Sequence, residues 1–213
     1  MLFRSSGYSW VTGNRLKRLT IIMTYALLFS VFVIASCGLV YELVAAALAS
    51  YLVGDSVTQF STIIGTYLFA MGIGSYLSSY LGKGLIHRFI LIELCIGLIG
   101  GFTAAVLFLS FSFLGSLSVL LYTLIFIVGV LVGLEIPLLL RILKEQIQFK
   151  DLVAQVLTFD YLGALIVSIL FPVILAPKLG LIRTGSFFGL MNALVAGWTT
   201  GLFRERLPGM VHL

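Results

Sequence analysis

The chain has 213 residues, 61% hydrophobic and only 10% charged, with a mean hydropathy of +1.18 and a net charge of +5. Several apolar runs exceed the roughly 18 residues a helix needs to cross a hydrocarbon core, which excludes a soluble globular domain. Open sheets cannot span lipid and the alternation of a barrel strand is missing, so the expected fold is all-α, a polytopic membrane helix bundle.

Residues 1–20 form a basic cytoplasmic segment with Arg4, Arg15, Lys17, Arg18 and Trp10, too polar to begin a cleavable leader. Residues 21–203 hold about six spans, and residues 204–213 form a short cytoplasmic tail. Span one, from about Ile22 to Val53, is about ten residues longer than a span needs. It is expected to tilt, break or project beyond the bilayer, with Gly38 as its weak point. Gly38, Glu42, Ala45, Ala46 and Ala49 share one helical face of small residues, which turns Glu42 into the bundle. Gly54-Asp55 then makes a polar turn.

Span two, about Thr58 to Leu81, repeats Ser61, Gly65, Gly72, Ser75 and Ser79 at helical intervals, the pattern of a central or cavity-lining helix. Lys83, His87 and Arg88 form a basic loop. Span three, about Phe89 to Leu109, aligns Glu93, Gly97 and Gly101, with Arg88 placed to pair with Glu93. Span four, about Leu117 to Ile142, has Gly129-xxx-Gly133 and then Glu135-Ile-Pro137, where the missing proline N–H predicts a kink. Glu135 lies roughly opposite the glycine stripe, so packing alone does not fix its direction. Arg141 to Asp151 is a charged loop with a candidate Arg141–Glu145 pair at helical spacing. Span five, about Leu152 to Leu175, puts Asp160, Gly163, Ala164 and Ser168 on one face and ends at Pro172 and Pro177. Span six, about Thr184 to Phe203, aligns Gly185, Gly189 and Asn192.

With the N-terminus inside, eleven basic residues fall on the inner segments, and only Lys178 and Arg183 on the outer ones. That asymmetry predicts a cell-membrane protein with both termini cytoplasmic. Two triplets of spans suggest an inverted repeat, but its only echo is Gly38-Leu39 with Glu42 against Gly133-Leu134 with Glu135. In so glycine- and leucine-rich a chain, coincidence accounts for that echo.

Gly38-Leu-Val-Tyr-Glu42, Leu48 to Gln59, Phe69 to Leu77, Gly133-Leu-Glu-Ile-Pro137 and Asp160-Tyr-Leu-Gly-Ala164 together resemble the membrane domain of integral-membrane spermidine synthases. Phe171-Pro172, Pro177 to Leu181 and Gly189-Leu-Met-Asn192 extend the resemblance, which runs in order over about residues 25–203. In that family such a bundle precedes a soluble aminopropyltransferase domain, which moves an aminopropyl group from decarboxylated S-adenosylmethionine to putrescine. The resemblance implies that lineage. A glycine-rich strand-to-helix turn for the nucleotide is missing after Phe203, so the chain by itself is expected to be inactive as a transferase.

The acidic residues set in apolar sequence carry the functional question, since an intramembrane ionisable group marks a functional or packing site. Glu42, Asp160, Glu135, Gln59 and Asn192 are candidate ligand-binding residues, each with a structural hydrogen-bonding role as its alternative. Asp55 is a candidate for a cavity mouth or a helix cap; Arg88, Glu93, Arg141 and Glu145 are candidates for structural ion pairs. Cys37 and Cys95 have neither metal-ligand nor disulfide spacing, and no metal, cofactor or nucleic acid is expected.

Two function classes stand at this point. One is the membrane module of polyamine synthesis, holding a cationic amine between its carboxylates and working with a separate synthase domain or a second copy. The other is a small transporter or channel for polyamines or other organic cations.

Overall fold

A helix that is apolar or small all round can be surrounded by others, and α1 (Ser6–Leu52) takes that central place. The computed structural model describes residues 6–111, 117–144 and 149–203, with side chains described from Tyr25 onward except at position 149. α1 touches each of the other helices: α2 (Ser56–Ser78), α3 (Leu85–Ser110), α4 (Leu117–Leu143), α5 (Phe149–Leu170) and α6 (Leu181–Leu202). Cys37, Val40, Ala45, Ala46, Leu48 and Ala49 on it are all fully buried. Among the described residues all regular structure is helical.

Five helices are long and apolar enough to cross a membrane: Tyr25–Leu52, Ser56–Ser78, Leu85–Ser110, Leu117–Leu143 and Lys150–Leu179. α6 has the length, but Arg183, Asn192 and its hydroxyl residues dilute its apolar content, and it is not among the five.

Three close pairs build the bundle, and glycine makes each one possible. A Cβ at Gly74 of α2 would run into the backbone carbonyl of Val130, and one at Gly133 of α4 into the backbone of Met71. On the second pair, a Cβ at Gly97 of α3 would lie 2.7 Å from the carbonyl oxygen of Gly189, and one at Gly101 3.0 Å from its Cα. On the third, a Cβ at Gly163 of α5 would meet the Phe32 carbonyl of α1. The stripes expected on spans three, four, five and six are therefore contact faces.

The stripe expected on span two is not. Ser61, Gly65, Gly72, Ser75 and Ser79 are all exposed, and nothing lies within 4 Å of a Cβ at Gly65 or Gly72. The buried face of α2 is Ile63, Tyr67, Ala70, Gly74 and Ser78. Small polar residues suit both a close contact and an exposed face, so their period does not choose between the two.

Two expected breaks are also absent. α1 runs unbroken through Gly38, whose missing side chain instead admits Val132 Cγ1, which would be 3.2 Å from a Cβ there. α5 does not stop at Pro172 but continues as π-helical turns over Phe171–Leu179, past Pro177 as well. The wider turn relieves the clash of each proline ring with the preceding turn. α4 likewise continues through Pro137 to Leu143.

The pairing also bears on the repeat. Exchanging α1, α2 and α3 for α4, α5 and α6 converts the α1–α5 contact into α2–α4 and α1–α6 into α3–α4, and leaves α3–α6 unchanged. The contact pattern is that of two three-helix halves, with Glu42 and Glu135 on exchanged helices.

Candidate functional site

Glu42 lies one helical turn beyond Gly38, on the side of α1 where α2 and α4 approach. Glu135 lies two residues past Gly133, about 200° round α4 from the stripe that packs on α2. That rotation turns it away from α2 and into the interior. Asp160 lies one turn before Gly163 and so faces the same side of the bundle as the α1 contact. α5 packs on α1 but barely touches α4, which leaves a cleft between them.

The three carboxyls line that cleft together. The cavity is about 160 Å³, bounded by Ile34, Gly38, Leu39, Tyr67, Met71 and Val132 among others, with Glu42, Glu135 and Asp160 as its acidic groups and no Lys or Arg in its lining. Tyr67 closes its floor, donating its hydroxyl to the Gly38 carbonyl at 2.9 Å. Glu42 is 8% exposed and Glu135 1%, while Asp160 at the rim is partly exposed. Oε1 of Glu135 is buried without a hydrogen-bond partner.

The three carboxyls share one cavity although α1 runs unbroken through Gly38. At 1.5 Å per residue, Glu42 lies about 15 Å from the Leu52 end of α1 and Asp160 about 16 Å from the Phe149 end of α5. Glu135 is about 12 Å from the Leu143 end of α4.

Glu93 stands behind the cavity. It is fully buried on α3, both of its oxygens lack partners, and its carboxyl is close enough to that of Glu135 for the two to interact directly. The expected Arg88–Glu93 pair does not form: five residues on a helix are about 500° apart, so the side chains leave different faces. Tyr41 Oη, both side-chain polar atoms of Asn192 and Thr199 Oγ1 are further buried groups without partners.

The remaining sequence candidates lie elsewhere. Asp55 is not at a cavity mouth but caps α2, its carboxylate accepting from the Thr58 hydroxyl at 2.7 Å and from the Thr58 N–H at 3.4 Å. Gln59 accepts a hydrogen bond from the Tyr122 hydroxyl at 3.2 Å, joining α2 to α4 away from the acidic cavity. Asn192 sits in the α3–α6 contact, where its Cβ would be 3.2 Å from one on Gly97. Arg141 donates to the Ser78 carbonyl at 2.8 Å, a cation satisfying the C-terminal turn of α2. Glu145, its expected partner, lies outside the described residues. Tyr67 is the cavity residue that sequence reasoning missed; its signal was a tyrosine facing inward on α2, obscured by the small-residue stripe on the other side.

The chain is 60% identical over 191 residues, 90% of its length, to the polyamine aminopropyltransferase of Leptospira interrogans, of which those residues make up 38%. It is 58% identical over 184 residues to polyamine aminopropyltransferase 2 of Ralstonia nicotianae, matching 85% of this chain and 36% of that one. With polyamine aminopropyltransferase 2 of Streptomyces coelicolor it shares 38% identity over 195 residues, 86% of this chain and 35% of that one. The chain thus spans little more than a third of the length of the curated relatives it matches. These relatives support the spermidine synthase-like family. No family model matches the chain, and no solved structure does. The expectation of a polyamine transporter or channel is overturned, because the relatives are named for an enzyme.

Proposed function

We propose that this chain is the membrane-embedded helical part of a polyamine aminopropyltransferase, with its N- and C-terminal ends in the cytoplasm. The observation that carries the proposal is 60% identity to such an enzyme over 90% of the chain. The transfer, of an aminopropyl group from decarboxylated S-adenosylmethionine to putrescine, is then an activity of the whole protein. The bundle would hold that protein in the bilayer.

The exterior supports the membrane part of the proposal. Phe69, Phe102, Leu109, Ile169 and Leu194 are more than half exposed, on four different helices, α2, α3, α5 and α6. An apolar surface of this extent matches lipid and would be a liability in water. Among the described residues the core is apolar with a few buried polar groups, and the exterior carries many large apolar side chains as well.

Two experiments test the proposal. The gene product carrying this chain, expressed and purified from membranes, is expected to release methylthioadenosine from decarboxylated S-adenosylmethionine and putrescine. A protein that stays in the soluble fraction, or shows no transfer, would overturn it. The orientation is tested in a background without Cys37 and Cys95. Lys83→Cys and Lys144→Cys should be shielded from an impermeant maleimide applied outside the cell, while Ser56→Cys should react. Labelling at position 83 from outside would reverse the topology.

A further inference from the structure

The geometry points to a binding site for an alkylammonium ion in the cleft between α4 and α5, held by Glu42, Glu135 and Asp160. It rests on the family assignment only for the choice of polyamine as the first probe; the site itself stands on the cavity. Three acidic side chains from three helices line it at separate places, with no basic side chain in the lining to neutralise them. One of them, Glu135, is 1% exposed and keeps a buried oxygen without a hydrogen-bond partner while lining the cavity. Burying such an acceptor unpaired is costly, and a donor entering the cavity from outside the chain would satisfy it.

The walls say what kind of donor fits. Ile34, Leu39, Leu68, Met71, Val132 and Ile136 make an apolar surface beside the carboxyls. A bare metal ion would need several oxygens around one point, and among the described residues no three acidic, histidine or cysteine side chains converge to hold one. A primary ammonium on a methylene chain uses both features. Its head donates to the carboxylates, and its chain packs on the aliphatic walls. The cavity, at about 160 Å³, far exceeds the roughly 10–15 Å³ that one water occupies, so it admits a head group and several methylenes. Asp160, partly exposed at the rim, meets the ligand first; Glu135 holds it at the inner end.

Glu42 and Glu135 belong to the helices that exchange between the two halves of the bundle. Two buried carboxyls on helices in contact with each other suit a linear diammonium, one head to each, with Asp160 as the entry group.

Protons compete with the ammonium for these carboxylates, so affinity should fall as pH is lowered. The other titratable groups facing them are Tyr67 from α2, Glu93 from α3, and Cys37 and Tyr41 from α1.

The test measures binding of putrescine, n-butylamine and neutral 1,4-butanediol to the intact chain in lipid nanodiscs by calorimetry. Both amines should bind and the diol should not. Glu135→Gln and Asp160→Asn should each weaken the amines about ten- to hundredfold, the effect of losing one charge-assisted contact. Asp55→Asn, away from the cavity, should leave affinity unchanged. If Glu135→Gln does not fold, Asp160→Asn at the rim carries the comparison, with thermal unfolding as the check on integrity. No response of the wild-type chain to millimolar amine, equal binding of the diol, or unchanged affinity in both variants would overturn the site. Transfer activity in the whole protein without amine binding here would remove this site alone. Binding here without transfer activity would remove the enzymatic assignment alone.

Discussion

Gly133→Leu should break the contact between α2 and α4 and lower the stability of the bundle by about 3 kcal/mol or more. Overpacking a well-filled core costs about 1–3 kcal/mol when side chains can shift. At Gly133 the obstacle is the backbone of Met71, which cannot rotate away, so the helices must separate. Gly74→Leu should behave alike, because its Cβ would fall on the Val130 carbonyl. The contrast is Gly72→Ala, two residues away and facing open space. There the gain in helix propensity, about 1 kcal/mol at most, should appear as unchanged or slightly raised stability. Thermal unfolding of the three variants in one detergent checks the series. Equal stability of Gly133→Leu and Gly72→Ala would mean that α2 and α4 are not packed backbone to backbone.

The second large effect has the opposite sign. Glu93→Met should raise stability by about 1–3 kcal/mol, because a buried polar group without a partner costs roughly that much. Glu93 is fully buried, both oxygens lack hydrogen-bond partners, and Glu135 beside it is another acid. Methionine has a similar length and adapts its shape to the space left. For a chain of this size each kcal/mol is about 2–4 °C, so the midpoint of unfolding should rise measurably. A fall in the midpoint would show that the Glu93 carboxyl is engaged by a partner and stabilises the bundle. A rise would mean that the residue is kept at a cost to stability, as functional groups are.

Much of the fold was legible in the chain because lipid crossing needs long apolar runs and close helix contact needs small residues. Gly97 and Gly101 marked one packing face of α3, Gly185 and Gly189 one of α6, and Gly129 and Gly133 one of α4, because the 3.6-residue period places them in line. The inward direction of Glu42 and Asp160 followed from the same geometry. Most helical segments could be placed within a few residues, but α1 begins at Ser6, well before the expected start of span one at about Ile22.

Other choices depended on which helices become neighbours. Ser61, Gly65, Gly72, Ser75 and Ser79 fit a contact as well as the α4 stripe does, yet they face outward. α4 approaches the opposite side of α2, through Tyr67, Ala70 and Gly74. Glu135 could not be oriented from its own helix because α4 has protein on more than one side, and only the placement of α1 and α5 shows that its carboxyl shares a cavity with Glu42 and Asp160. Arg88 and Glu93 looked like partners by proximity in the chain, and the turn of the helix separates them. Sequence by itself determined the helices, their small-residue faces and the presence of carboxyls in apolar surroundings, since these follow from local period and solvent preference. Tertiary structure alone decided that three of those carboxyls, on three different helices, line one cavity while Glu93 sits buried beside Glu135 behind it.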